Sequence, residues 1–185
     1  MIDDVQNEMK ESMEKTVQAL QKDLKRIRTG RASLALLDGI MVDYYGSATP
    51  INQLATLSIP EPRQIVIQPW DSKAVPDIEK AILKSELGLN PSNDGKLVRI
   101  VLPPLTAERR KELVKLVKKM AEEFKVQLRN HRRSANEVLK DLKKEKEITE
   151  DDLHKAQETV QKTTDEYITR LDGVADEKEK EIMEI

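Results

Sequence analysis

The sequence predicts an α+β protein: a discontinuous long three-helix bundle interrupted by an inserted small β/α/β domain. Three observations carry this reading. Three long stretches place apolar residues at helical spacing, one before and two after a middle segment of different character. That middle segment, residues 30–105, holds five of the six glycines and all eight prolines. Charged residues make up 36% of the chain and aromatics 3%, so the core must be built from Leu, Ile, Val, Met and Ala, a composition that favours long helices. The bundle is therefore expected from residues 1–29 and 106–185, with the insert at 30–105.

The first helix follows from Val5, Met9, Met13, Val17, Leu20, Leu24 and Ile27, whose steps of three and four put one stripe along the axis. It is expected to stop at Gly30. The second run, Leu113, Leu116, Val117, Met120, Phe124, Leu128, His131, Ala135, Val138 and Leu142, contains no Gly or Pro. At the rise of an α-helix it predicts a rod about 60 Å long. The third run, Leu153, Ala156, Val160, Thr164, Tyr167, Leu171, Val174 and Ile182, begins after Thr149, whose hydroxyl is positioned to cap a helix together with Asp152. None of the three can shelter its stripe alone, and three stripes of near-heptad period pack as a slightly twisted bundle.

Within the insert, residues 40–45, 56–59, 64–67 and 97–101 have the β-branched and aromatic bias of strands. Residues 71–87 read as one helix, with Pro76 near its first turn and Gly88 past its end. Asn93 to Lys96 reads as a turn into a strand rather than a phosphate cradle. The chain must cross between domains twice, at Thr29-Gly30-Arg31 and at Pro103-Pro104-Leu105-Thr106. Two readings stand for these crossings: a double hinge that uses the freedom of Gly30 and the stiffness of the prolines, or a rigid contact with Gly30 as an ordinary helix C-cap.

The absence of cysteine rules out disulfides, thiolate metal sites and thiol nucleophiles, and fits a reducing compartment. Asp3, Asp4, Glu8 and Glu11 are foreign to targeting segments, and no apolar run nears the ~20 residues of a membrane span. A cytoplasmic protein with no membrane association is expected. The two histidines, His131 and His154, lack metal-ligand spacing, and no phosphate-binding glycine motif occurs. His131 falls on the apolar phase of the second helix, which suits a buried or edge side chain. Asp151-Asp152 suit a helix N-terminus and Glu122-Glu123 a solvated face. No residues remain for an enzyme, a cofactor or a metal.

What the chain does have is sorted charge. A net charge of −2 hides 13 basic against 7 acidic residues in Thr106 to Glu145, and 6 against 13 in Lys146 to Ile185. Around the second helix, with His131 as zero, Lys111, Lys115, Lys118, Lys125, Arg129, Arg132, Arg133 and Lys140 fall between about 100° and 200°, whereas Glu112, Glu123, Glu137 and Asp141 fall near 240° to 280°. Only Glu122 interrupts the basic stripe, and Asn136 continues it. Charged helix faces are usually mixtures kept for solubility and i,i+4 pairing. Segregation of sign, with Arg129, Arg132 and Arg133 close together, points instead to a phosphate-rich partner. A further cluster, Lys22, Lys25, Arg26, Arg28 and Arg31, closes the first helix and is expected to meet Arg109 and Arg110. A rival reading is a self-associating structural protein, the basic stripe of one copy answering the acidic third helix of another.

Several segments carry a resemblance. They are Arg26-Ile27-Arg28-Thr29-Gly30-Arg31-Ala32-Ser33, Asp43-Tyr44-Tyr45-Gly46, Leu87-Gly88-Leu89-Asn90-Pro91 and Leu102-Pro103-Pro104-Leu105-Thr106-Ala107-Glu108-Arg109-Arg110-Lys111. With Arg129-Asn130, Arg132-Arg133, Ala135-Asn136, Lys146 to Asp152 and Val160-Gln161-Lys162, they closely resemble the bacterial ribosome recycling factors over the whole length. The resemblance implies an L-shape similar in outline to transfer RNA, with the bundle as the long arm. It implies a monomer that binds the post-termination ribosome through large-subunit RNA and works with elongation factor G and its GTP hydrolysis to split the subunits, itself hydrolysing nothing. It further implies that Arg28, Arg31, Arg110, Arg129, Arg132 and Arg133 contact ribosomal RNA, and the sorted stripe adds Lys118 and Lys125 to the expected contacts. Gly30 and Pro103, Pro104, Leu105 and Thr106 would form the hinge, and the insert would face elongation factor G.

Overall fold

The structure, a computed structural model, describes residues 1–184. Two compact units emerge, one from Met1–Arg28 with Ala107–Glu184 and the other from Thr29–Thr106.

In the first unit, α1 (Ile2–Lys25), α3 (Ala107–Lys144) and α4 (Glu150–Met183) pack along their lengths. Met13, Val17 and Leu20 of α1 meet Val117, Leu128 and Leu139 of α3 and Val160, Leu171 and Ile182 of α4 in a fully buried core. Each such side chain contributes roughly 1.5–3 kcal/mol by leaving water. Thr164 is buried too, and its hydroxyl donates to the Val160 carbonyl at 2.7 Å, so no polar group is stranded there. Tyr167 and Val174, on the edge of the same stripe, are half-buried.

The core of α3 is rotated from the expected phase. Its buried residues are Leu113, Val117, Ala121, Leu128, Ala135 and Leu139, while Leu116 and Val138 stand 43% and 47% exposed. The centre of the buried face therefore lies about 50° from His131 rather than on it.

The link from α3 to α4 is short and closely specified. Glu147 N donates to Leu142 O and Lys146 N to Lys143 O, both at 3.0 Å, the paired bonds of a Schellman ending with Lys146 left-handed at φ 64°. Thr149 and Asp152 then form the expected capping box, the Thr149 hydroxyl accepting from Asp152 N at 3.1 Å and the Asp152 carboxylate from Thr149 N at 3.1 Å. A Lys143–Glu150 ion pair spans the turn.

In the second unit, β1 (Met41–Tyr44) pairs with β2 (Ser47–Pro50) in a hairpin. A four-stranded antiparallel sheet has the order β3 (Ala55–Glu61), β4 (Gln64–Pro69), β6 (Val98–Val101), β5 (Pro91–Asn93). Ile65 faces Ile100 and Ile67 faces Val98 in the two central strands. All four are buried in one cluster with Ile78 and Ile82 of α2 (Val75–Lys84).

The sequence reading missed β2 and β5. Ser-Ala-Thr-Pro has little strand bias and is held by the turn at Tyr45 and Gly46, both left-handed at φ 49° and 81°, the geometry that matches strand twist in a two-residue hairpin. β5 is three residues long and begins with Pro91 at the sheet edge, where a missing N–H does no harm. The helix expected over 71–87 is shorter. A 3₁₀ turn occupies Ser72–Ala74, Pro76 sits in the first turn of α2, and Ser85 N closes the end on Ala81 O and Ile82 O.

Gly30 does not cap α1, which ends at Lys25. Its φ of +78° is a left-handed conformation in the crossing itself, and a Cβ there would meet Leu105 Cγ at 3.4 Å and Pro103 O at 3.6 Å. The outgoing and returning crossings thus run side by side, which leaves the C-cap reading without support.

Candidate nucleic-acid interface

One side of the basic stripe of α3 lies along its seam with α4. The helices run antiparallel, and the contacts fix the register: Arg110 Nη1 donates to Met183 O at 3.2 Å, Lys118 faces Glu179 at 3.8 Å, Lys125 pairs with Asp172 at 2.6 Å, and Arg132 Nη1 donates to Gln161 Oε1 at 3.1 Å. These four side chains line the seam because the rotated core brings Arg110 to about 10° and Arg132, Lys125 and Lys118 to about 50° to 90° from the buried centre. Arg132 in particular is half-buried beside α4 rather than on the open face.

A second group points outward. Lys111, Lys115, Arg133 and Lys140 are exposed and make no hydrogen bond or ion pair among the described residues. Arg129 joins them at the angular centre of the row, but Glu122 holds it at 2.9 Å. Lys125 Nζ lies 3.8 Å from the other oxygen of the same carboxylate. The hydrogen bond from Arg129, with the charges of Arg129 and Lys125 behind it, lowers the Glu122 carboxyl below the usual carboxylate range against a smaller desolvation effect.

Glu150, Asp172 and Glu179 of the acidic helix are thus answered by cations of its own chain, which removes part of the motive for the rival reading. Gln161, Asp172 and Glu179 were missed as part of this surface. The signal that could have found them was the opposite charge of two runs joined by a short link, which forces them side by side.

The basic cluster closing α1 is distributed otherwise than expected. The Thr16–His131 contact, with the Met1 amino group near Glu147 just past the end of α3, sets α1 antiparallel to α3 and brings Lys22, Lys25 and Arg26 level with the turns near Met120, some 15 Å along the axis from Arg110. The expected meeting with Arg109 and Arg110 therefore does not occur for these three. Arg28, after the end of α1, and Arg31, at the start of the second unit, are both exposed. Arg110 keeps its Nε buried with no partner among the described residues.

His131 lines a cleft of about 250 Å³ between α1 and α3 with Val5, Glu8, Met9, Ser12 and Ser134. Its Nε2 is engaged by Thr16, as suits an edge residue of the core. No group of three or more metal-ligating side chains occurs among the described residues, and none of their helices is long and apolar enough to cross a membrane.

The pattern of the family described as Ribosome recycling factor matches residues 20–183 of this chain. The chain belongs to the ribosome recycling factor family. Among its relatives, the ribosome-recycling factor of Syntrophus aciditrophicus is 60% identical over 185 residues and that of Desulfatibacillum aliphaticivorans 58% over 184, with 100% of each chain covered. A solution structure of the ribosome recycling factor matches 100% of this chain with a TM-score of 0.75 and 48% identity, covering 98% of the other. A second match, at 47% identity, TM-score 0.62 and 98% of both chains, is the T. thermophilus ribosome recycling factor, described with E. coli elongation factor G bound to the E. coli post-termination complex. The family resemblance drawn from the sequence motifs is correct, and so is the class of an α+β protein built from a helical bundle and a small β domain.

Proposed function

We propose that this chain binds the post-termination ribosome and, with elongation factor G and the GTP that factor hydrolyses, splits the subunits and frees mRNA and tRNA. It works in the cytoplasm as a monomer and carries out no chemistry of its own. The observation that carries the RNA contact is the outward row of Lys111, Lys115, Arg129, Arg133 and Lys140 on one side of α3, with Glu112, Glu123, Glu137 and Asp141 sorted to another and Glu122 the one acid within the row. A row of cations about 40 Å long suits a polyanion, whose condensed counterions are released on contact. Arg129 and Arg133 offer forks to phosphate oxygens, Arg132, Lys118 and Lys125 contribute from the α4 seam, and Arg28, Arg31 and Arg110 extend the surface toward the crossings. Gly30 and Pro103 to Thr106 serve as the hinge between units, and the unit of residues 29–106 faces elongation factor G.

The test is subunit splitting from post-termination complexes supplied with elongation factor G and GTP, with and without the chain. Splitting that depends on the chain and weakens in Arg133→Glu is expected. Intact complexes in its presence, or a stable dimer that ignores ribosomes in sedimentation, would overturn the reading.

A further inference from the structure

Glu122 is the one anion inside the basic sector of α3, about 180° from His131 and flanked by cations on both sides. Its two oxygens are divided between two partners, Oε1 accepting from Arg129 two turns away at 2.9 Å and Oε2 facing Lys125 at 3.8 Å. A phosphodiester has the same inventory, one negative charge over two free oxygens, so the cations that hold this carboxylate are matched to a backbone phosphate. We propose that Glu122 occupies the place of an RNA phosphate on the α3 face and competes with it, so that RNA binding proceeds by displacing this carboxylate from Arg129. The proposal rests on the reading of α3 as the ribosomal RNA contact.

The two cations are not equally available. Lys125 is largely covered, its side chain 23% exposed, and it has a second and closer partner in Asp172 at 2.6 Å. Arg129 has no partner other than Glu122 among the described residues. Release of the carboxylate therefore frees Arg129 alone, and the competition acts through that residue. Being tethered two turns away, Glu122 is present at a high effective concentration, yet it offers a single charge where RNA offers a run of them. Its effect is to weaken isolated phosphate contacts while leaving a long, matched contact able to win. That is a filter against short or poorly placed polyanions.

The experiment measures the affinity of the full chain for purified bacterial 70S ribosomes at fixed low salt, in a double-mutant cycle with a charge control. Glu122→Gln is expected to bind about two- to fivefold more tightly, the range of an exposed ion pair. Glu123→Gln makes the same change in net charge on an exposed neighbour with no partner among the described residues, and is expected to gain less than about 1.5-fold. Arg129→Gln is expected to weaken binding, and adding Glu122→Gln to it is expected to restore nothing. Equal gains from Glu122→Gln and Glu123→Gln, or a gain that persists in the Arg129→Gln background, overturn the competition. Arg129→Gln binding as tightly as the parent overturns the RNA-face reading and the proposal with it.

Discussion

Thr16 Oγ1 lies 3.1 Å from His131 Nε2 across the seam of α1 and α3, and the same hydroxyl is 2.9 Å from the Ser12 carbonyl one turn back. A hydroxyl has one proton, and the carbonyl can only accept. Thr16 therefore donates to Ser12 and accepts from His131, which requires the proton on Nε2. The neutral ring is held as its Nε2–H tautomer. Long-range ¹H–¹⁵N spectra are expected to show a protonated Nε2 at neutral pH; a dominant Nδ1–H pattern would contradict the assignment. Thr16→Val, which keeps the buried volume and loses the hydroxyl, is expected to cost about 1 kcal/mol in urea unfolding.

The rotated core of α3 makes two leucines of one helix unequal. Leu128 is fully buried whereas Leu116 is 43% exposed, although both fall on the apolar periodicity. Leu128→Ala is expected to destabilise the chain by about 2.5–5 kcal/mol. Leu116→Ala is expected to cost below about 1 kcal/mol. Similar losses at the two positions, measured by denaturant midpoint, would restore the unrotated phase.

Lys146 is left-handed where helix endings favour glycine. A side chain in this conformation meets its own carbonyl at a cost of roughly 1–2 kcal/mol, part of which glycine returns to the unfolded chain as entropy. Lys146→Gly is thus expected to stabilise the bundle by about 0.5–1 kcal/mol. Thermal denaturation checks the sign, and a fall in midpoint would show that the lysine contributes more than its backbone costs.

Asp94 gives the second unit an acid dependence. Its carboxylate accepts from Leu97 N at 2.8 Å and Lys96 N at 3.0 Å and pairs with Arg99 at 3.0 Å. These bonds, the backbone ones first, bring it from 3.8 to about 2. Because the folded value is the lower one, its contribution is complete above about 4 and is lost as pH falls through about 2. The urea midpoint of this unit, followed by the amide signals of β6, is expected to drop over that interval. In Asp94→Asn, which keeps an acceptor for the turn, the drop should be smaller.

What the sequence determined by itself was everything that local spacing can encode. The three helical rods, the capping box at Thr149 and Asp152, the central strands of alternating Ile and Val, and the sorting of charge around α3 all follow from residues within a few turns of one another. So did the family, because its motifs are contiguous words. Tertiary structure decided the rest. Periodicity gives a helix an apolar side but not the width of its cover, and α1 and α4 together moved the centre of α3 away from His131. The same packing turned Arg132 toward Gln161 and Lys125 toward Asp172, leaving Arg133 outside, since those contacts depend on an antiparallel register imposed by the turn at Lys146. β2 and β5 exist only because a neighbour supplies their hydrogen bonds, which no bias within Ser-Ala-Thr-Pro or Pro-Ser-Asn announces. Pairing and cover are properties of two segments at once, and a single segment read alone holds half of each.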